Sequence, residues 1–261
     1  MNERTRPQPP LAVRAVLPLA LLFLYLPLLV MVLGSFVATP AEGRGFTLEW
    51  YRQLVVDPVL WEALARSFEV ALGSAMLATA LALVAALALE RWVFAGRWPL
   101  RFLSTVSLML PELVLALSLL SWFASFQFEL SLLTVIIAHV TLTLPFAILV
   151  IAARLQALDS SIEEAARDLG ASELQVLRKV TLPLLMPGLG AAFVLAFLLS
   201  FDDFLVTFYT NGAGGDTLPV KLYSLMKTGL SPKVQALSSV MLFVSVALVA
   251  LLVRFRPRME A

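Results

Sequence analysis

The feature that most constrains this chain is a series of six apolar runs, each about as long as a helix must be to cross a membrane. They lie near residues 16–38, 67–89, 102–126, 132–153, 187–208 and 235–253. Roughly 20 apolar residues in helical form cover the ~30 Å of hydrocarbon in a bilayer. A segment in lipid must satisfy its own backbone hydrogen bonds, and these runs lack the alternation of a barrel strand. The sequence therefore predicts an all-α integral membrane protein with six transmembrane helices, forming one domain over residues 1–261.

Composition supports membrane lipid as the surroundings of most of the chain. Hydrophobic residues make up 60% of it and charged residues only 14%, whereas soluble domains carry about a quarter charged residues. No basic face stands apart from the apolar runs, so no nucleic-acid partner is predicted. The absence of cysteine and the single histidine, His139, exclude disulfides and Cys/His metal sites. We expect His139 to be an interior histidine with satisfied hydrogen bonds.

The distribution of basic residues predicts how the chain is oriented. Thirteen of the nineteen lie at one set of span ends and six at the other, and basic residues near span ends favour the cytoplasmic side. Both termini are therefore predicted to be cytoplasmic. The thirteen are Arg4, Arg6, Arg14, Arg91, Arg97, Arg101, Arg154, Arg167, Arg178, Lys179, Arg254, Arg256 and Arg258, and the six are Arg44, Arg52, Arg66, Lys221, Lys227 and Lys233.

The polar loop over residues 154–186 is predicted to be cytoplasmic and to contain two short helices. Ser160 with Glu163, and Ser161 with Glu164, have the spacing of a capping box and predict a helix start. Gly170 is placed to end that helix in a left-handed conformation.

A second helix is predicted to follow directly in the same loop. Ser172 and Gln175 repeat the start signal, and Pro183 is expected to break the helix. The first helix carries an apolar face that needs a partner surface. That face consists of Ile162, Ala165, Ala166 and Leu169.

The loop resembles a known family. Glu164-Ala165-Ala166, then Gly170, then Val180-Thr181-Leu182-Pro183, is similar to the EAA loop of binding-protein-dependent ABC importer permeases, with Val180 where isoleucine is more usual. The resemblance implies a coupling helix that docks on a cytoplasmic ATPase subunit and transmits its movement to the spans. The residues implied in coupling are Glu163, Glu164, Ala165, Ala166, Leu169, Gly170, Leu182 and Pro183.

The same resemblance implies a type I (MetI-like) importer bundle in a bacterial-type inner membrane. It also implies a second homologous permease, two cytoplasmic ATPase subunits and an extracytoplasmic substrate-binding protein. The sequence holds no G-x-x-x-x-G-K-[ST] phosphate loop. ATP and magnesium are therefore expected on the ATPase, and neither a catalytic residue, a metal nor a cofactor is expected in this chain.

Three carboxylates lie inside predicted spans and are candidates for the substrate pathway: Glu112, Asp202 and Asp203. A charge at the bilayer centre costs about 2.5–3.5 kcal/mol on insertion scales, so such residues usually face a bundle interior or a water-filled path. An anionic path favours cationic cargo, and nearby aromatic rings offer faces to an ammonium group. The aromatic candidates are Phe201, Phe204 and Tyr209.

The region around these aspartates resembles spermidine/putrescine-type permeases. The resemblance is carried by residues 200–204, 217–224 and 229–232, which read SFDDF, TLPVKLYS and GLSP. It implies a small organic cation as cargo, in particular a polyamine.

Several alternatives remain open from the sequence. The aspartates can instead cap a helix break, and either of them can be the one that faces the pathway. Amino-acid, opine or ferric-type cargo is carried by related importers with a similar loop. An ion-driven secondary transporter with carboxylate proton carriers is a different class. A metalloenzyme is the least favoured, because two adjacent carboxylates make a poor metal site.

Overall fold

The computed structural model describes residues 11–38, 45–227, 229 and 231–254, and their side chains from residue 16 to 250. Its helices, in chain order, are α1 (Leu11–Gly34), α2 (Glu49–Val56), α3 (Pro58–Arg91), α4 (Arg97–Ser107), α5 (Glu112–Ser125), α6 (Leu132–Gln156), α7 (Ser160–Asp168), α8 (Glu173–Val176), a π-helical segment (Leu177–Thr181), α9 (Leu182–Phe201), α10 (Leu205–Thr210), α11 (Leu218–Lys227) and α12 (Pro232–Arg254). Within the described ranges, β pairing is limited to one isolated bridge between Val37 and Phe46. Outside the described residues lie Arg4, Arg6, Arg44, Arg256 and Arg258 and the side chains of Arg14 and Arg254.

The number of spans agrees with the prediction. Among the described residues, five helices are long and apolar enough to cross a membrane, and a bent pair brings the total to six when it is taken as one span. The second span is longer than predicted, because α3 already begins at Pro58. Its first turns contain the charged residues Glu62 and Arg66, which lower the mean hydropathy there, so the prediction from hydropathy begins the span too late.

The third predicted span, 102–126, is not one continuous helix. It consists of α4 and α5, which meet at an angle of 116° across a short break. The cause is Pro111, which lacks an N–H group and disfavours helical geometry in the residue before it. Pro111 has an extended backbone (φ −58°, ψ 129°), and its carbonyl accepts from Val114 N–H in the first turn of α5.

The fifth predicted span, 187–208, differs at both ends. The predicted break at Pro183 is wrong: a helical segment runs from Glu173 to Phe201 over 29 residues, through the π-helical segment. A π turn widens the helix locally, and this one directly precedes Pro183, whose ring would crowd the carbonyl four residues earlier in a regular α-helix. The helix then stops at Phe201, and α10 begins at Leu205.

The chain forms two compact units, and the larger contains residues 58–223 and 244–261. Its centre is made by α3, α6 and α9, which pack against one another. The buried face of α3 includes five alanines with no exposed surface: Ala71, Ala75, Ala78, Ala82 and Ala86. Lipid tails offer no hydrophobic driving force between helices, so small residues that permit close backbone approach are the usual solution in membranes.

The smaller unit contains residues 1–57 and 224–243. In α1, every described side chain from Val16 to Val30 is exposed. A helix that is apolar all round and uncovered requires apolar surroundings, as lipid provides. After α1, a hydrogen bond between the hydroxyls of Ser35 and Tyr51 (2.6 Å) joins the end of the helix to α2.

Candidate functional site

The loop after α6 folds as a capped helix pair, with its first cap one residue earlier than predicted. Asp159, not Ser160 or Ser161, is the N-cap of α7: its carboxylate accepts the N–H of Ser161 at 2.9 Å. That hydrogen bond lowers the pKa of Asp159, because it favours the charged form. Since α7 begins one residue earlier, Glu163 falls beyond the capping position.

The other end of α7 and the start of α8 follow the predicted pattern. Gly170 has a φ of +85°, and Ala171 N–H bonds back to the carbonyl of Ala166 at 3.1 Å. The capping box of Ser172 and Gln175 is present in both directions. The backbone conformation of Gly170 and these hydrogen bonds thus fix the turn between α7 and α8.

Glu163 anchors α7 to the rest of the large unit. Its side chain is 6% exposed although the helix around it is open. One carboxylate oxygen accepts from Arg91 Nη2 at 2.7 Å and from the hydroxyl of Thr181 at 2.9 Å. Arg91 ends α3 and Thr181 ends the π-helical segment. A single buried carboxylate therefore joins α7 to two helices that continue into the membrane.

The predicted apolar face of α7 is left uncovered by this chain. Leu169 is 89% exposed and Ile162 is 47% exposed; Ala165 is also exposed and Ala166 is half-buried. Glu164 lies exposed between them. We call Ile162, Ala165 and Leu169 the exposed stripe. Leu182 (half-buried) and Pro183 (exposed) lie apart from it, at the start of α9.

We expect the left-handed backbone of Gly170 to matter for the position of this stripe. A Cβ added there would meet no atom within 4 Å, so the cost of Gly170→Val is a backbone cost of about 1–2 kcal/mol. If the loop couples this chain to an ATPase, as its resemblance to the EAA loop implies, the variant should raise the ATP hydrolysed per cargo molecule several-fold, measured in reconstituted vesicles. Gly170→Asn is the matched control, because asparagine tolerates this conformation. Equal ratios of ATP hydrolysed to cargo imported in Gly170→Val and Gly170→Asn would contradict a role for Gly170 in coupling.

The two aspartates of the fifth span do different things. Asp203 is 6% exposed and caps α10: its carboxylate accepts the N–H of Thr207 at 2.9 Å and that of Val206 at 3.4 Å. Asp202 is exposed and accepts the hydroxyl of Ser245 at 3.0 and 3.1 Å. The capping role that the sequence left open therefore belongs to Asp203.

His139 lies behind Asp203 and is fully buried. Its Nδ1 is 2.7 Å from the hydroxyl of Ser200, and its Nε2 is 2.9 Å from the hydroxyl of Thr207 and 3.2 Å from a carboxylate oxygen of Asp203. The expectation of a satisfied interior histidine is confirmed.

A cavity of about 570 Å³ brings the three predicted carboxylates together. Glu112, Asp202 and Asp203 line it, with Phe204, and the rest of its wall is mainly apolar. Carboxyl groups that line one cavity are a site that a cation can occupy, because opposite charges attract each other.

The other two aromatic candidates lie elsewhere. Phe201 is 1% exposed and packs against Phe68, with ring centroids 5.1 Å apart. Tyr209 packs beside Phe123 and Val206. Of the predicted aromatic residues, Phe204 alone is brought to the described cavity wall.

Several polar partners were not singled out by the sequence. Arg91, Thr181 and Ser245 each bind one of the candidate carboxylates. Ser200 and Thr207 stand seven residues apart in an apolar run, on either side of Asp203. If the predicted span were one continuous helix, that spacing would place the two hydroxyls on one face. The sequence therefore contains a signal that Ser200 and Thr207 share a polar partner.

A bundle of membrane spans with an exposed, capped helix pair on a polar loop is the architecture of the permease subunit of an ATP-driven importer. The chain belongs to the family of binding-protein-dependent transport system inner membrane components, whose family model matches residues 78–261. It is therefore a multi-pass inner-membrane permease that functions with the other parts of an ABC transporter.

Known relatives agree with this assignment over most of the chain. The chain is 37% identical over 229 residues to the spermidine/putrescine transport system permease protein PotC of Escherichia coli (strain K12), covering 87% of each protein. It is 35% identical over 236 residues to the putrescine transport system permease protein PotI of the same organism, covering 87% of this chain and 84% of PotI. A solved bacterial ABC transporter involved in alginate import has the same fold, with a TM-score of 0.72, 16% identity and coverage of 95% and 96%.

Proposed function

We propose that this chain forms half of the translocation pathway of an importer for polyamines such as spermidine and putrescine. The observation that carries the proposal is the cavity, in which three carboxyl groups stand on a largely apolar wall. Polyamines are ammonium groups separated by methylene chains, so they need both kinds of surface. The relatives PotC and PotI, named as polyamine permeases, support the same cargo.

Within the cavity, Asp202 is the carboxylate best placed to receive an ammonium group. Asp203 is occupied as a helix cap, whereas the bond from Ser245 to Asp202 is a neutral hydroxyl contact that a cation can replace. Glu112 provides a second carboxyl group on the cavity wall, at the first turn of α5. Leu115, Leu142 and Leu198 supply apolar wall for the methylene groups.

The proposed assembly places the exposed stripe of α7 against a cytoplasmic ATPase. A second homologous permease completes the pathway, two ATPase subunits hold ATP and magnesium, and an extracytoplasmic binding protein delivers the cargo. This chain would perform no chemical step and hold no cofactor, and both termini would be cytoplasmic. The uncovered apolar surface of Ile162 and Leu169 supports this arrangement, because such surface marks interaction sites.

For the cargo, we expect Asp202→Asn to raise the KM for spermidine uptake by about tenfold with little change in maximal rate. The substitution keeps the side-chain shape and removes the charge that an ammonium group pairs with. The measurement is ATP-dependent uptake of labelled spermidine by the complete complex in proteoliposomes supplied with the binding protein.

Glu129→Gln is the matched control, because Glu129 is an exposed carboxylate away from the cavity lining. An unchanged KM in Asp202→Asn would refute the role of Asp202. If the wild-type complex imported an amino acid, an opine or a ferric complex and no polyamine, the proposed cargo itself would be wrong.

A further inference from the structure

One imidazole contacts both sides of the break in the fifth span. His139 lies in the first half of α6, and its two ring nitrogens point to different helices. Nδ1 meets Ser200, in the last turn of α9, and Nε2 meets Thr207 in α10 together with Asp203 in the break. With no exposed surface on His139, these contacts exclude water.

The hydrogen bonds around His139 form one consistent chain of donors and acceptors. The hydroxyl of Ser74 donates to Ser200 at 2.9 Å, which leaves the Ser200 hydroxyl free to donate to Nδ1. A neutral imidazole then carries its proton on Nε2, which faces Asp203 and Thr207. The hydroxyl of Thr207 donates onward to Asp203 at 3.1 Å. In this assignment each donor has an acceptor, so the hydrogen bonds join α6, α9 and α10 at the break.

This geometry decides where Asp202 points. Adjacent residues in a helical conformation project about 100° apart. Asp202 still has helical backbone angles (φ −90°, ψ −2°) as the C-cap of α9. Because Asp203 is drawn inward onto His139 and α10, its neighbour is turned outward, and the carboxylate of Asp202 is exposed at the cavity.

We propose that His139 is a positioning residue for cargo translocation: through Nε2 it holds Asp203 and α10 so that Asp202 presents its carboxylate to the cavity. The proposal rests on the proposed function, in which Asp202 receives the cationic group of the cargo. His139 itself does not touch the cargo. Its role is specific to Nε2, because Nδ1 contacts Ser200 on the α9 side only.

Two substitutions separate the two nitrogens. Glutamine carries its amide nitrogen at the position of Nε2, whereas asparagine carries polar atoms near the position of Nδ1 only. We expect His139→Gln to keep the KM for spermidine within about threefold of wild type, and His139→Asn to raise it about tenfold with a similar maximal rate. Both are measured by ATP-dependent uptake in proteoliposomes containing the complete complex.

Thr207 gives a second pair of variants in case a His139 variant does not assemble. Thr207→Ser keeps the hydroxyl that joins Nε2 to Asp203, and Thr207→Val removes it at similar volume. We expect the KM for spermidine to stay within about threefold of wild type in Thr207→Ser and to rise about tenfold in Thr207→Val. In a complex that already carries Asp202→Asn, His139→Asn should produce no further rise, because the group that it positions is absent.

Equal KM values in His139→Gln and His139→Asn, or in Thr207→Ser and Thr207→Val, would overturn the positioning role. So would a further rise in KM when His139→Asn is added to Asp202→Asn. These outcomes leave the proposed function standing as long as the wild type imports spermidine and Asp202→Asn alone raises its KM. Failure of the wild type to import any polyamine counts against the proposed function and this inference together.

Discussion

Replacing Arg91 with methionine is expected to separate ATP hydrolysis from cargo uptake. The guanidinium of Arg91 is 2.7 Å from the carboxylate of Glu163, which is only 6% exposed. Without it, Glu163 keeps the hydroxyl of Thr181 and a more distant Arg167 at 3.9 Å. The ion pair connects α7 to the end of the second span, so its loss should detach α7 from that span. We expect uptake to fall about tenfold or more while ATPase activity stays within about twofold.

The neighbouring pair of Arg101 and Glu90 provides the control. It has the same 2.7 Å separation, but Arg101 is 52% exposed and the pair joins α4 to α3 rather than to α7. Exposed ion pairs contribute about 0–1 kcal/mol, so Arg101→Met should transport normally. An equal ratio of ATP hydrolysed to cargo imported in Arg91→Met and in the wild type would refute the role of the Arg91–Glu163 ion pair in coupling.

A double variant distinguishes coupling from stability. Removing one partner of a buried ion pair destabilises a protein by about 3–5 kcal/mol, whereas replacing both charged partners is often nearly neutral. Arg91→Met combined with Glu163→Gln should therefore recover thermal stability and remain uncoupled. Recovery of uptake together with stability would show that the pair is structural only.

Replacing Leu169 with aspartate is expected to abolish transport by preventing attachment of the ATPase. Leu169 is 89% exposed in this chain, and a surface substitution of that kind alters folding stability by about 0.5 kcal/mol or less. In an apolar docking contact, the same change loses the ~2 kcal/mol of a buried leucine and adds a desolvated charge. We expect co-purification with the ATPase to fall about a hundredfold, measured by affinity purification of the complex and by uptake.

Asp168→Ala is the control for Leu169→Asp. Asp168 is the preceding residue and is also exposed, but it does not belong to the exposed stripe. Its variant should bind the ATPase and transport as the wild type does. A Leu169→Asp complex that assembles and transports normally would mean that the stripe contacts nothing in the transporter.

Hydropathy identifies the spans well because lipid imposes their length and composition. Its errors have local causes that a sliding window cannot detect. The 116° bend before Glu112 follows from one proline. The residues from Pro58 to Arg66 are helical although Glu62 and Arg66 are charged and lower the mean hydropathy of that stretch.

The sequence indicated the carboxylates that line the cavity and the residues of the exposed stripe, but not the partners of these residues. The exposed stripe and Gly170 were readable because helix periodicity and positive φ each leave a pattern in the sequence. The division of labour between Asp202 and Asp203 was not, because it depends on His139, which is more than sixty residues away along the chain. Likewise, nothing near Glu163 in the sequence indicates that Arg91 neutralises it.

The unbroken helical segment from Glu173 to Phe201 connects the polar loop after α6 to the edge of the cavity. At 1.5 Å per residue, its 29 residues extend about 43 Å. A tilt of about 5° at one end of a rod of that length moves the other end by about 4 Å. Such a displacement exceeds the length of a hydrogen bond, so a small rotation imposed at the polar loop is enough to rearrange the hydrogen bonds of Asp202 and Asp203 at the edge of the cavity.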